Sequence, residues 1–105
     1  MAGAKSVNKA SEMAYFCYIV ECADGSFYTG ISTDPTRRER RHNAGQGARY
    51  TRMHRPVRLV YIEPLPDHAS ALKREIAIKR LTHANKKALI EKQRSERPTT
   101  RNELT

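Results

Sequence analysis

Long apolar runs are missing from this chain, and no stretch approaches the roughly 20 residues that a membrane-spanning helix needs. The opening MAGAKSVNKASEM lacks the apolar core of a secretory signal, so the protein is expected to stay in the cytoplasm, away from membranes. Cysteine is scarce. Cys17 and Cys22 are expected there as thiols, and five residues apart they point to opposite faces of one strand. Together with His42 and His54 they do not have zinc-finger spacing. No internal repeat is visible. Acids are outnumbered: 11 Asp+Glu stand against 20 Lys+Arg, for a formal net charge of +9. That imbalance bears on partners more than on fold, and a polyanion such as nucleic acid is expected ahead of an anionic membrane surface.

What is present suits one small domain, since the chain has 105 residues. Residues 1–13 are small and polar and are expected to be disordered; 14–92 form the folded unit; 93–105 read as a flexible tail. Within the folded part, Tyr15 to Cys22 has the aromatic and β-branched composition of a strand. Ala23-Asp24-Gly25-Ser26 is a turn signal, and Phe27 to Ile31 is the return strand. A three-residue loop, Asp24 to Ser26, puts Tyr18 and Tyr28 on one face, whereas a two-residue loop sends them to opposite faces. The former is expected, because a shared site needs it. Asp34 and Pro35 start a helix that Gly45 ends near Ala44. Residues 46–56 read as a loop. A third strand follows over Val57 to Glu63, with Val57, Leu59 and Tyr61 on one side. Asp67 caps a second helix from His68 to about Leu81, and Thr82 caps a third to about Lys92. The fold class is therefore α/β (α+β): a small three-stranded antiparallel sheet flanked by helices.

Eight arginines and no lysine fall between Arg37 and Arg58, with Glu39 as the lone acid. Arginine's planar fork grips phosphate at two points, which lysine cannot do, so the run favours phosphate contact over a merely solvated face. Arg37, Arg41, Arg49 and Arg52 are its candidate nucleic-acid contacts. Arg38 and His42 are four apart and project from one helix face. Glu75 falls at about 40° from Ala71 on a helical wheel, inside the apolar arc. A carboxylate there is half of an ion pair with an arginine, or else a metal ligand or catalytic acid. Tyr18 and Tyr28 are strand aromatics packing the core, or phenols that handle a water's proton, for which a nearby cation is required. His42 is a surface helix residue or a member of that site.

In order, these signals are Tyr18, then Tyr28-Thr29-Gly30 ten residues on, Arg38, His42 and a core-facing Glu75. That order resembles the GIY-YIG nuclease family, with Cys17-Tyr18-Ile19 where the family has GIY and Tyr28-Thr29-Gly30 where it has YIG. GISTDPTRRERRHNAG is similar to its arginine helix, and ALKREIAIK to its glutamate motif. The likeness spans residues 14–92 and is nearest to small stand-alone members and to the nuclease domain of structure-selective endonucleases. Cys17 departs from the motif glycine, and Asn85 lies near, at an unsettled spacing, where the family often has an asparagine. The resemblance implies catalytic roles for Tyr18, Tyr28, Arg38, His42 and Glu75, with Glu75 binding one divalent ion, Mg²⁺ or Mn²⁺. It implies hydrolysis of phosphodiesters in DNA, in branched or damaged substrates as in DNA repair. A basic nucleic-acid-binding module without catalysis, or an RNA-associated ribosome accessory factor, would keep the charge but need no core-facing carboxylate.

Overall fold

The computed structural model describes residues 14–96. The expected disordered segment 1–13 and residues 97–105 of the expected tail lie outside them. The chain runs β1 (Tyr15–Glu21), β2 (Phe27–Ser32), α1 (Pro35–Asn43), α2 (Arg49–Met53), β3 (Arg58–Leu65), α3 (His68–Lys79) and α4 (His83–Glu96). The three strands form one antiparallel sheet in the order β2-β1-β3. Sequence-adjacent β1 and β2 pair as a hairpin, and β3 returns to the other side of β1. No helix among the described residues is long and apolar enough to cross a membrane.

The hairpin loop is Ala23 to Gly25, one residue earlier than expected. The Cys22 N–H donates to the Ser26 carbonyl at 2.8 Å and closes it, and Gly25 takes the positive φ of 88° that such a loop requires. Asp24 Oδ1 accepts from both the N–H and the hydroxyl of Ser26, a local turn that competes with continued pairing. Tyr18 pairs with Gly30 and Val20 with Tyr28. The register is shifted by two residues from the expected one, an even step, so Tyr18 and Tyr28 still share a face.

Each face of β1 fills a separate core. Cys17 and Ile19 pack with Tyr61, Ile78 of α3 and Ile90 of α4. Tyr18 and Val20 pack with Cys22 and Val57. The two cysteines therefore lie on opposite faces, buried and free. Burial pushes the Cys17 thiol up to about 11, which keeps it protonated and unreactive. Each fully buried aliphatic side chain contributes on the order of 1.5–3 kcal/mol.

A register shift between Ile19 and Val20 changes β3: Tyr61 pairs with Ile19 but Leu59 with Val20, so Val60 is the extra residue of a bulge. Leu59 thus joins Val57 against the Tyr18 core, while Tyr61 turns to the opposite core. Simple alternation, which expects all three on one side, fails at that bulge. Two helix starts follow their caps: Asp34 accepts from the Arg37 N–H at 3.1 Å and Asp67 from the Ser70 N–H at 2.8 Å. Gly45, with φ of 82°, stops α1. The expected loop 46–56 contains the five-residue helix α2, and α4 continues to Glu96.

Candidate active site

The site grows from a close approach on the sheet. Tyr18 stands opposite Gly30, and a Cβ at that position would come within 2.6 Å of the Tyr18 hydroxyl oxygen and 2.8 Å of its Cζ. Glycine is required because the phenol occupies the space of a side chain. Tyr28 lies on the same face, half-buried.

α1 crosses this face, and its orientation is set by two polar ties, one to β3 and one to the residue just before it. Glu39 accepts from the Leu59 N–H at 2.8 Å. One turn on, Asn43 donates to the Val57 carbonyl at 2.9 Å and accepts from its N–H at 2.7 Å. With the 39/43 stripe held against β3, the neighbouring 38/42 stripe turns toward the tyrosines.

His42 then enters a buried chain of hydrogen bonds. The Tyr18 hydroxyl lies 2.9 Å from His42 Nε2, His42 Nδ1 lies 2.7 Å from Thr51 Oγ1, and Thr51 donates to the Ala48 carbonyl at 2.9 Å. Tyr18, His42 and Thr51 are 1%, 1% and 0% exposed. Direction follows from proton count. The single Thr51 hydroxyl proton goes to Ala48, so toward His42 its oxygen can only accept. Nδ1 therefore carries the imidazole proton, Nε2 presents a lone pair, and Tyr18 donates to it. Burial, followed by the Arg38 charge, pushes the His42 pKa down and keeps the ring neutral.

Burial pushes Tyr18 far up, Arg38 pulls it down, and Tyr28 and Glu75 push it up. The phenol does not ionise unaided at neutral pH. Its proton has one built exit, along the bond to His42. Direct contacts bring Tyr18, Tyr28 and His42 together, while Arg38 and Glu75 act on Tyr18 through their charges.

Glu75 shares the inward stripe of α3 with Ala71 and Ile78, both 0% exposed. Leu72 and Ile76 point outward, 39% and 49% exposed. The partner of Glu75 is Lys79, at 3.3 Å and one turn on, rather than an arginine. Among the described residues no three His, Cys, Asp or Glu side chains gather into a ready-made cation cage. One inward carboxylate fits a hard divalent ion such as Mg²⁺ or Mn²⁺, which draws most of its ligands from water and phosphate.

The arginine run divides. Arg37, Arg38 and Arg41 line one cleft with Ser32, Thr33 and Gln46. Arg49 and Arg52 lie exposed on α2, and Arg52 borders a separate depression with Met53 and Arg55. Arg58 is taken up by Glu21 at 2.7 Å. Asn85 is exposed in the first turn of α4, its N–H bonded to Thr82 Oγ1. Sequence reasoning missed Thr51, which supplies the second partner of the histidine, and Gly47, where a Cβ would overlap the His42 ring. The available signal was that a buried histidine needs partners for both nitrogens. A polar residue shortly after its helix was the place to look.

The GIY-YIG catalytic domain model matches residues 14–88, and the chain belongs to the GIY-YIG family. It is 54% identical over 78 residues to a UPF0213 protein of Desulfotalea psychrophila, covering 73% of this chain and 71% of that one. It is 51% identical over 77 residues to a UPF0213 protein of Staphylococcus aureus, covering 73% and 94%. A solution NMR structure of a protein from E. faecalis superposes with a TM-score of 0.55 at 37% identity, over 80% of this chain and 90% of the other. These relatives are small stand-alone members of the family, and the three-stranded fold is shared with them. GIY-YIG domains are generally those of endonucleases, which act on nucleic acid and use divalent metal ions.

Proposed function

We propose that this protein is a metal-dependent endonuclease that hydrolyses phosphodiester bonds in DNA. The observation that carries the reading is the buried bond from the Tyr18 hydroxyl to the lone pair of a neutral His42, 2.9 Å long and beside Arg38. A surface that only bound phosphate would have no use for a desolvated phenol aimed at a proton acceptor.

In this reading the scissile phosphate docks in the cleft of Arg37, Arg38 and Arg41. Arg38, the member whose charge reaches Tyr18, meets the negative charge that develops on phosphorus oxygens. Tyr18 takes a proton from the attacking water while passing its own to His42 Nε2. The transfer avoids a free phenolate, which burial makes costly. Tyr18 is 1% exposed, so substrate binding must open a path to its hydroxyl. Tyr28, half-buried on the same face, orients the water. Glu75 would hold Mg²⁺ or Mn²⁺, and such an ion supplies charge to stabilise the leaving oxygen. Arg49 and Arg52 would guide the flanking strand.

The alternative of a non-catalytic binding module is separated by one experiment. Pure protein is incubated with linear, nicked, branched and single-stranded DNA, with Mg²⁺, with Mn²⁺ and with chelator. Metal-dependent cleavage that His42→Ala abolishes supports the enzyme. Binding without cleavage of any substrate, under either metal, would leave the module.

A further inference from the structure

Two of the exposed large apolar side chains, Tyr50 at 42% and Met53 at 70%, sit three apart on α2. Exposed apolar surface costs solvation, and here it is set among the exposed arginines Arg49, Arg52 and Arg55. The Tyr50 ring is also held flat. It lies within 19° of parallel to His54, with centroids 4.2 Å apart, and within 15° of Tyr28 at 6.4 Å. Tyr50 keeps its 42% exposure with both of these rings against it.

Tyr50 and His54 of this ladder are both tied to the hairpin loop. The Tyr50 hydroxyl donates to Ser26 Oγ at 2.7 Å, and Ser26 Oγ donates to Asp24 Oδ1 at 2.6 Å. His54 Nε2 lies 3.6 Å from Asp24 Oδ2, and its Nδ1 meets the Tyr50 carbonyl at 2.7 Å. A ring anchored in this way loses little further freedom when something stacks on it. The inner end of the ladder is Tyr28, whose edge-on contact with His42 joins it to the catalytic cluster.

We propose that Tyr50, with Tyr28 and His54, forms a stacking platform for unpaired DNA bases next to the scissile phosphate. The class of substrate is therefore DNA with a single-stranded stretch. This rests on the nuclease reading for which phosphate is cut, but the binding surface stands on its own geometry. Bases within a duplex cover one another's faces and have none to offer, whereas an unpaired base presents its face while its phosphates meet the arginines. The positive surroundings match a nucleic-acid strand and repel a basic partner.

The test is a binding titration in chelator, where nothing is cut. Three labelled probes of one length are compared: a mixed-sequence single strand, an abasic strand with the same phosphates, and the duplex. Wild type is expected to prefer the strand with bases. Tyr50→Ala is expected to lose roughly 5- to 150-fold on that strand, the range for one stacked base, and to change by no more than about twofold on the other two. Tyr50→Phe, which keeps the ring, is expected to stay close to wild type. Equal losses on all three probes, or a wild type that binds the abasic strand as well as the normal one, overturns the platform. The wild-type comparison decides even if Tyr50→Ala does not fold. Because the titration needs no cleavage, an inactive protein would sink the nuclease reading and leave this one standing.

Discussion

Asn43 makes both of its side-chain bonds to one residue, Val57, donating to its carbonyl and accepting from its N–H. This closes a small ring between the last turn of α1 and the residue just before β3. Together with the Glu39 tie to Leu59 it sets the rotation of α1, and so the aim of Arg38 and His42. Asn43→Ala leaves a part-buried N–H and carbonyl without partners, which costs about 1–3 kcal/mol for each group that water cannot reach. Urea denaturation is expected to show that loss, with cleavage falling more steeply than DNA affinity. Unchanged stability and unchanged cleavage would mean that Val57 finds other partners and α1 needs no such tie.

Thr51 should matter through the tautomer of His42. Thr51→Val keeps the shape but removes the acceptor for Nδ1–H, stranding a buried donor at a cost of about 1–3 kcal/mol. With that partner gone, the proton is free to move to Nε2, where it would donate to the Tyr18 oxygen and remove the lone pair that accepts from Tyr18. Nitrogen chemical shifts of His42 are expected to report the Nδ1–H form in wild type and a mixture in Thr51→Val. Thr51→Ser is expected to restore both the tautomer and the activity. A valine variant that keeps the pure Nδ1–H form would show that Thr51 only fills space.

The same histidine imposes a pH dependence whose sign can be worked out. Its folded pKa lies below the unfolded value of about 6.5. Between those two values the unfolded chain binds a proton that the folded one refuses, so the stability of the folded state falls as pH falls through that window. Above the unfolded value this contribution is fully present. Protonation also removes the Nε2 lone pair that accepts from Tyr18. Stability is therefore expected to decline from about pH 6.5 downward, cleavage only at lower pH as the folded pKa is approached, and His42→Gln is expected to flatten the stability slope. A wild-type stability curve that is level across that range would show that His42 is not held neutral by the fold.

Much of this was legible because it depends on local rules. Asp34, Pro35 and Gly45 bracket α1 by capping chemistry alone, and the i, i+4 spacing of Arg38 and His42 puts them on one face wherever the helix lies. The shared face of Tyr18 and Tyr28 survived a wrong loop, because the register error was even. What failed depended on contacts across the chain. The bulge at Val60 answers to packing on both sides of β1, which alternation along β3 does not encode. α2 has no side-chain cap and only five residues, so nothing local announces it. Thr51 and Tyr50 were lost with it, since a loop reading gives their side chains no direction. Glu75 was found, but the ion-pair alternative named an arginine, and the partner is Lys79 one turn away.

Arg38 and Glu75 should come apart under mutation. Arg37 and Arg41 line the same cleft, so Arg38→Ala is expected to weaken DNA affinity only modestly. Its charge is the one that acts on both Tyr18 and His42, and loss of a preorganised charge at a reacting group commonly costs on the order of 10² to 10³ in rate. Glu75→Ala removes a carboxylate paired to a half-exposed lysine, so the ion pair itself accounts for no more than about 1 kcal/mol of stability. The substitution also removes a negative charge from a surface that binds phosphate. Thermal melting is expected to stay near wild type, affinity for DNA to hold or rise slightly, and metal-dependent cleavage to disappear. Isothermal titration with Mn²⁺ in the presence of uncleavable DNA is expected to lose its heat in the same variant. If Glu75→Ala melts several kcal/mol less stable than wild type yet still cuts with Mg²⁺, Glu75 is a structural half of its pair with Lys79, and the ion is held elsewhere.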